Sequence, residues 1–255
     1  MINRLDNLFN LQRKIFSLYF TAGYPHFSTT VPLLKKLALS GVDLVELGFP
    51  FSDPIADGPI IQESNRQALT NGMSLEGVLE SVKEFRQEFA TPIILMGSYN
   101  PILQYGVEAF CKSAASHGVD GFIIPDLDIK EVENLFIPLC RANNLHLVLL
   151  VTSETPVERI FHLDTLSSPF LYVVSSHAVT GGTLNLSDKM KSFFAKLKDL
   201  QLKNRLLVGF GIDSPAIFKE VSEYSDGGII GSAFIKALKA GEEDKFIANF
   251  LNDNS

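Results

Sequence analysis

Apolar residues recur along the chain in two alternating rhythms. Short, almost uninterrupted apolar runs occur at 15–21, 42–48, 92–97, 119–125, 146–152, 170–175, 205–210 and 228–231. Each is strand-sized, and continuous apolarity is what a parallel strand covered on both faces requires. Between them, apolar positions return every three or four residues at 31–39, 75–89, 107–115, 131–141, 157–163, 190–200 and 217–224. That is the period of a helix with one buried face. Residues 1–14 set Leu5, Leu8, Phe9 and Leu11 against Arg4, Asp6, Arg13 and Lys14, predicting an extra, short amphipathic helix at the N-terminus.

A local repeat marks the same unit. Ser40-Gly41-Val42-Asp43 and His117-Gly118-Val119-Asp120 each end a helix at Gly and begin a strand, and Asp226-Gly227-Gly228 is a looser copy. Eight strand-then-helix units of about 30 residues each use up the chain, the arithmetic of a (β/α)8 barrel. The expected architecture is therefore a single TIM-barrel domain over residues 1–255, with a doubly wound open sheet as the alternative. Two connections, 49–59 and 176–187, exceed the usual βα loop of about 2–6 residues. Both leave the C-terminal ends of strands, where a barrel builds its active site.

Composition narrows the function. Lys and Arg number 22 against 29 Asp and Glu, a net charge of −7, which offers no basic stripe for nucleic acid or an anionic membrane. The apolar runs fall far short of the ~18 residues of a membrane span. Cys111 and Cys140 sit in apolar, helix-like contexts with no Cys or His at metal spacing, which points to reduced core thiols, a cytoplasmic compartment and no metal site. No Walker loop, Gly-x-Ser-x-Gly elbow or dinucleotide fingerprint is present.

Two features carry chemistry. In Val42-Asp43-Leu44-Val45-Glu46-Leu47-Gly48, Asp43 stands at the start of the strand, where a turn keeps it hydrated, but Glu46 stands near its exit. Alternation puts Glu46 on the face of Leu44, and if that face points inward the carboxyl reaches the barrel mouth. Apolar walls there raise its pKa and make it an acid/base candidate, the competing reading being a buried Glu held by Arg or Lys. The following loop, stiffened by Pro50, Pro54 and Pro59, adds Asp53 and Asp57. The second feature is a phosphate site: Gly209-Phe210-Gly211-Ile212-Asp213 and Gly231-Ser232-Ala233 follow the seventh and eighth strands, with a helix starting near Ser232. Bare backbone N–H groups and the positive end of a helix suit an anion, and Gly181-Gly182 in the long sixth loop adds donors on closure.

The run from Val45 to Pro59, Val-Glu-Leu-Gly-Phe-Pro-Phe-Ser-Asp-Pro-Ile-Ala-Asp-Gly-Pro, closely resembles the signature of the tryptophan synthase α subunit family. Phe20-Thr21-Ala22-Gly23-Tyr24-Pro25, Tyr99-Asn100-Pro101-Ile102, Pro125-Asp126-Leu127 and Val179-Thr180-Gly181 extend the resemblance over essentially the whole chain. It implies a lyase that splits indole-3-glycerol phosphate into indole and glyceraldehyde 3-phosphate. By position, Glu46 is implied as general acid/base and Asp57 as the partner of the developing positive charge on the indole nitrogen. Tyr19 and Tyr172 are implied at the indole side, Thr180 in closing the sixth loop, and Gly181, Gly211, Gly231 and Ser232 at the phosphate. Pro50, Asp53, Tyr99, Asn100, Pro101 and Asp126 correspond to a surface facing a β subunit, in an α2β2 heterotetramer under allosteric control. This chain itself is implied to need no cofactor, pyridoxal phosphate being expected in the β partner that receives indole.

The sequence departs from the family pattern in the sixth loop, where Ser176 stands at an Arg position and Ala178 at a Gly position. Loss of a multidentate donor and of backbone freedom both act against loop closure. The departures open an alternative: an α subunit with impaired catalysis kept as an allosteric activator of β. Ser98, where the family often carries an aromatic residue, implies a looser indole pocket, and Asp128, usually Pro, alters the β-facing loop. Another phosphate-binding barrel enzyme is the remote reading, since a shared fold does not fix function.

Overall fold

A computed structural model describes residues 2–55, 57–174, 186–209 and 211–252. Among them are the parallel strands β1 (Ile15–Thr21), β2 (Leu44–Gly48), β3 (Ile93–Met96), β4 (Gly121–Ile123), β5 (His146–Thr152), β6 (Phe170–Val174), β7 (Arg205–Gly209) and β8 (Gly227–Ile230). They hydrogen-bond in sequence order, and β8 returns to β1 with Ile15 opposite Gly227 and Leu18 opposite Ile230. The sheet is thus a closed barrel, which removes the open-sheet alternative. All residues of β1 to β4 are buried, as their continuous apolarity requires.

The repeat at the helix-to-strand turns does more than end helices. Gly41 and Gly118 cap theirs with φ near +90° and +85°, backbone angles that cost any other residue strain. The aspartate that follows reaches the neighbouring strand: Asp43 accepts the Phe16 N–H at 2.9 Å, Asp120 the Ile93 N–H at 2.8 Å, and Asp226 the Leu206 N–H at 2.8 Å. Each also pairs with an arginine, Arg13, Arg86 and Arg205 respectively. These carboxylates stitch the floor of the barrel, at the end opposite the long loops. The N-terminal helix, Arg4–Phe9, closes that floor through an Asn3/Asp6 capping box, with Asn3 Nδ2 donating to the Asp120 and Asn144 carbonyls.

Outside the barrel, helices cover each strand. Phe16 packs against Phe218 and Phe250, with ring centroids 5.6 and 5.5 Å apart, which ties β1 to helices Pro215–Ser222 and Glu243–Asn252. The helix expected over 131–141 is two segments joined by a π turn, Val132–Phe136, whose wide loop is closed by Ile137 N–H on the Val132 carbonyl. Pro138 is the physical reason, since it lacks an N–H and its ring would crowd the carbonyl four residues earlier. Helices Pro59–Thr70, Tyr99–Tyr105 and Glu243–Asn252 lie where the apolar period showed none. No helix among the described residues is long and apolar enough to cross a membrane.

Candidate active site

Glu46 enters the site from β2, in register between Tyr19 of β1 and Ile94 of β3. It is 1% exposed, and its Oε2 has no hydrogen-bond partner among the described residues. Neither Arg nor Lys pairs with it there, so the competing reading of a neutralised structural Glu finds no support among the described ion pairs. Burial, reinforced by the nearby charge of Asp57, pushes its pKa up to about 8.

Asp57 is set by the proline-stiffened loop that follows β2. Its N–H donates to the Pro54 carbonyl at 3.1 Å, and its own carbonyl accepts from Gln62 Nε2 at 2.9 Å. Helix Pro59–Thr70 anchors the loop a second time, because Asn65 Oδ1 accepts the Phe51 N–H at 3.0 Å while Asn65 Nδ2 donates to the Ile61 carbonyl at 2.9 Å. Burial raises the Asp57 pKa to about 6. Near pH 7 (roughly the cellular value) Glu46 therefore carries its proton while Asp57 carries charge, two carboxyls driven apart by their surroundings.

Two phenols frame the carboxyls. Tyr19 and Tyr172 are buried, and desolvation first, then the nearby carboxylates, holds both far above their usual range, so they stay neutral. Room for them comes from glycine: a methyl group at Gly48 would collide with the Tyr19 hydroxyl, and one at Gly209 with that of Tyr172. A chain of hydroxyls backs Tyr19, running to Thr21 at 3.3 Å and on to Ser64 at 2.6 Å.

The same cavity, of about 140 Å³, is also lined by Gly211, Gly231 and Ser232. Helix Ser232–Ala240 starts there without a side-chain cap bond, and the first N–H groups and positive dipole end of a helix favour an anion. Tyr19, Glu46, Asp57, Tyr172, Gly211, Gly231 and Ser232, singled out from the sequence, are thus brought to one cavity. Thr180 and Gly181, with Ser176 and Ala178, lie outside the described residues. The sequence reading missed Ile61 and Lys236, which also line the cavity. Lys236 falls four residues after Ser232, on the same helical face, so spacing from Ser232 was the signal that could have found it.

A second cavity, of about 390 Å³, opens beside the first and shares Tyr19, Asp57 and Met96 with it. Asp53, Asn100 and Asp126, assigned to a partner-facing surface, line it and are exposed. Tyr99 is half-buried, its N–H donating to Asp126 at 2.9 Å and its hydroxyl to Glu131 at 3.1 Å, so it braces that surface from within. Pro101 is half-buried and Pro50 buried in an adjoining groove. Pro50 thus stiffens the strand exit from beneath, and the surface of that loop is offered by Ser52, Asp53 and Ile55.

A closed (β/α)8 barrel thus brings a buried carboxyl of raised pKa, a second carboxyl and a helix N-terminus to one cavity, the layout of a barrel with a site at the C-terminal ends of its strands. Comparison with known proteins makes this particular. The family model for the tryptophan synthase alpha chain matches residues 5–253, and the chain belongs to that family. It is 45% identical over 237 residues to the tryptophan synthase alpha chain of Flavobacterium psychrophilum, covering 93% of this chain and 94% of that one. With the Flavobacterium johnsoniae protein it shares 43% over 252 residues, 99% of each chain. Among solved structures, the alpha chain from Legionella pneumophila superposes with a TM-score of 0.89 at 32% identity, covering 99% of this chain and 97% of that one. A chain of tryptophan synthase from Mycobacterium tuberculosis, in an aminoacrylate-bound form, matches with a TM-score of 0.87 at 27% identity over 99% of this chain and 100% of that one.

Proposed function

We propose that this chain cleaves indole-3-glycerol phosphate to indole and glyceraldehyde 3-phosphate. The observation that carries the reading is Glu46: a buried carboxyl with no hydrogen-bond partner on Oε2 among the described residues, its pKa raised to about 8, beside an Asp57 near 6. Protonated Glu46 gives its proton to the indole carbon that bears the glycerol chain. The positive charge that develops on the ring nitrogen is stabilised by ionised Asp57. Glu46, now a carboxylate, takes the proton of the adjacent glycerol hydroxyl; the O–H electrons form the aldehyde, the carbon–carbon bond breaks, and its electrons return to the ring. One residue gives and recovers one proton, so the cycle balances. Gly211, Gly231 and Ser232, with Lys236 at the mouth, hold the phosphate and fix the glycerol chain against Glu46.

In the same reading the exposed loop carrying Asp53 and the surface of Asn100 and Asp126 meet a β subunit in a cytoplasmic α2β2 heterotetramer. That partner would hold pyridoxal phosphate and take up the indole, and the contact would couple the two sites allosterically. The sixth-loop replacements, Ser176 and Ala178, favour a second reading in which the chain activates β without making indole. Indole release from indole-3-glycerol phosphate, measured for the chain with its own β subunit beside Glu46→Gln, separates the two. The lyase reading expects loss of at least about 100-fold in kcat on substitution. Equal rates for both proteins, together with stimulation of β, would establish the second reading instead.

A further inference from the structure

The two cavities share part of their walls and so adjoin as an inner and an outer lobe, and the candidate phosphate-binding residues line only the inner one. Gly211, Gly231 and Ser232 belong to the inner lobe alone, whereas Tyr19, Asp57 and Met96 form the junction. A substrate with its phosphate at the helix N-terminus and its ring nitrogen at Asp57 therefore points the far edge of its ring toward the outer lobe. That lobe is the larger, about 390 against about 140 Å³, and its walls include Phe49, Phe51, Gly97, Ser98 and Pro125.

Ser98 is the wall residue with freedom to vary. It precedes helix Tyr99–Tyr105 at the position where a serine hydroxyl ordinarily accepts a helix N–H, yet it makes no such bond. Asp126 does that work, accepting the Tyr99 N–H through both carboxylate oxygens at 2.9 and 3.1 Å. The neighbouring position cannot vary in the same way, since the Phe49 ring lies against the face of Gly97 and would meet a methyl group there at 2.5 Å. The lobe is thus roofed by a fixed aromatic ring on one side and a small, structurally unused side chain on the other.

We infer that Ser98 sets the size limit for the aromatic end of the substrate, and that the outer lobe admits indole-3-glycerol phosphates bearing a substituent on the six-membered ring. This rests on the proposed lyase reading and deepens it. A larger side chain at position 98 should close the lobe while leaving the helix cap with Asp126 intact.

The test compares unsubstituted and ring-brominated indole-3-glycerol phosphate on the full chain with its β subunit, for the wild type, Ser98→Ala and Ser98→Phe. A parallel titration uses a non-cleavable indole-alkyl phosphate, plain and brominated, read by calorimetry. The quantity of interest is the ratio of brominated to plain, in kcat/KM and in affinity, because general damage lowers both members and leaves the ratio alone. The expected result is a wild-type ratio within about tenfold of unity, little change in Ser98→Ala, and a fall of at least about tenfold in Ser98→Phe. A ratio unmoved by Ser98→Phe, or a wild type that already rejects the brominated compounds, overturns the inference. Absence of turnover with the affinity ratios as expected overturns the lyase reading while sustaining the role of Ser98; failure of both phosphates to bind overturns both.

Discussion

Replacing Glu46 by Gln tests the electrostatics of the site without requiring turnover. The carboxyl is fully buried, and its pKa moves from 4.5 to about 8, chiefly by desolvation. Because the folded-state value is the higher, this group's contribution to stability is fully present below about pH 4.5 and is lost as pH rises through about 8. The neutral form is tolerated in the barrel; the charged form is not. At about 1.4 kcal/mol per unit, the loss between about pH 5 and about pH 9 is on the order of 4 kcal/mol. Glutamine has nearly the same shape and no charge to lose. Its amide brings a fixed penalty of about 1–3 kcal/mol for unmade hydrogen bonds, which shifts the curve without tilting it. Urea unfolding midpoints of wild type and Glu46→Gln across this range give the difference, in which titrating groups not coupled to Glu46 cancel. The variant should gain on the wild type steadily with pH, by about 4 kcal/mol in total, and overtake it on the alkaline side. Parallel curves for the two proteins would refute the claim that Glu46 is a desolvated, unpaired acid.

Three further outcomes follow from the same geometry. The pH profile of kcat/KM for indole formation should be bell-shaped, rising through about 6 as Asp57 ionises and falling through about 8 as Glu46 loses its proton; Asp57→Asn should remove the acid limb, and a flat wild-type profile would count against the pairing. Gly48→Ala should displace the Tyr19 ring, because a methyl group there collides with the phenol, and lower kcat/KM at least about tenfold while circular dichroism stays that of the wild type; unchanged kinetics would show that Tyr19 does not bear on substrate. Asp120→Ala strands Arg86, 8% exposed and bonded to Asp120 at 2.6 Å, and removes the acceptor of Ile93 N–H, so denaturant unfolding should show a loss of about 3–5 kcal/mol; a loss under about 1 kcal/mol would mean the floor is held elsewhere.

Most of the barrel was legible because parallel strands buried on both faces are written as runs of apolar residues, and every such run became a strand. The ends were less legible. The run 42–48 begins its strand only at Leu44, because Val42 and Asp43 are spent on the turn and on the Phe16 amide. Helix Pro59–Thr70 escaped the apolar period for a different reason. Its buried face comprises Ile61, Ser64, Asn65 and Ala68, and two of these four are polar because they hydrogen-bond the loop after β2 and the Tyr19 hydroxyl chain. Where a helix packs against a functional loop, burial selects hydrogen-bonding groups, and hydrophobicity stops reporting it.

Chain order alone determined which residues could do chemistry: a carboxylate within an apolar strand, a second on a proline-stiffened loop, and glycines ahead of a helix start. Only closure of the sheet decided what those groups are. Bringing β8 to β1 sets the N-terminus of helix Ser232–Ala240 in one cavity with Glu46, some 190 residues earlier in the chain. It strips water from Glu46 without supplying a counter-ion among the described residues and leaves Asp57 partly solvated. Protonation depends on surroundings contributed by every strand, and so no local stretch of sequence could specify which carboxyl would hold the proton.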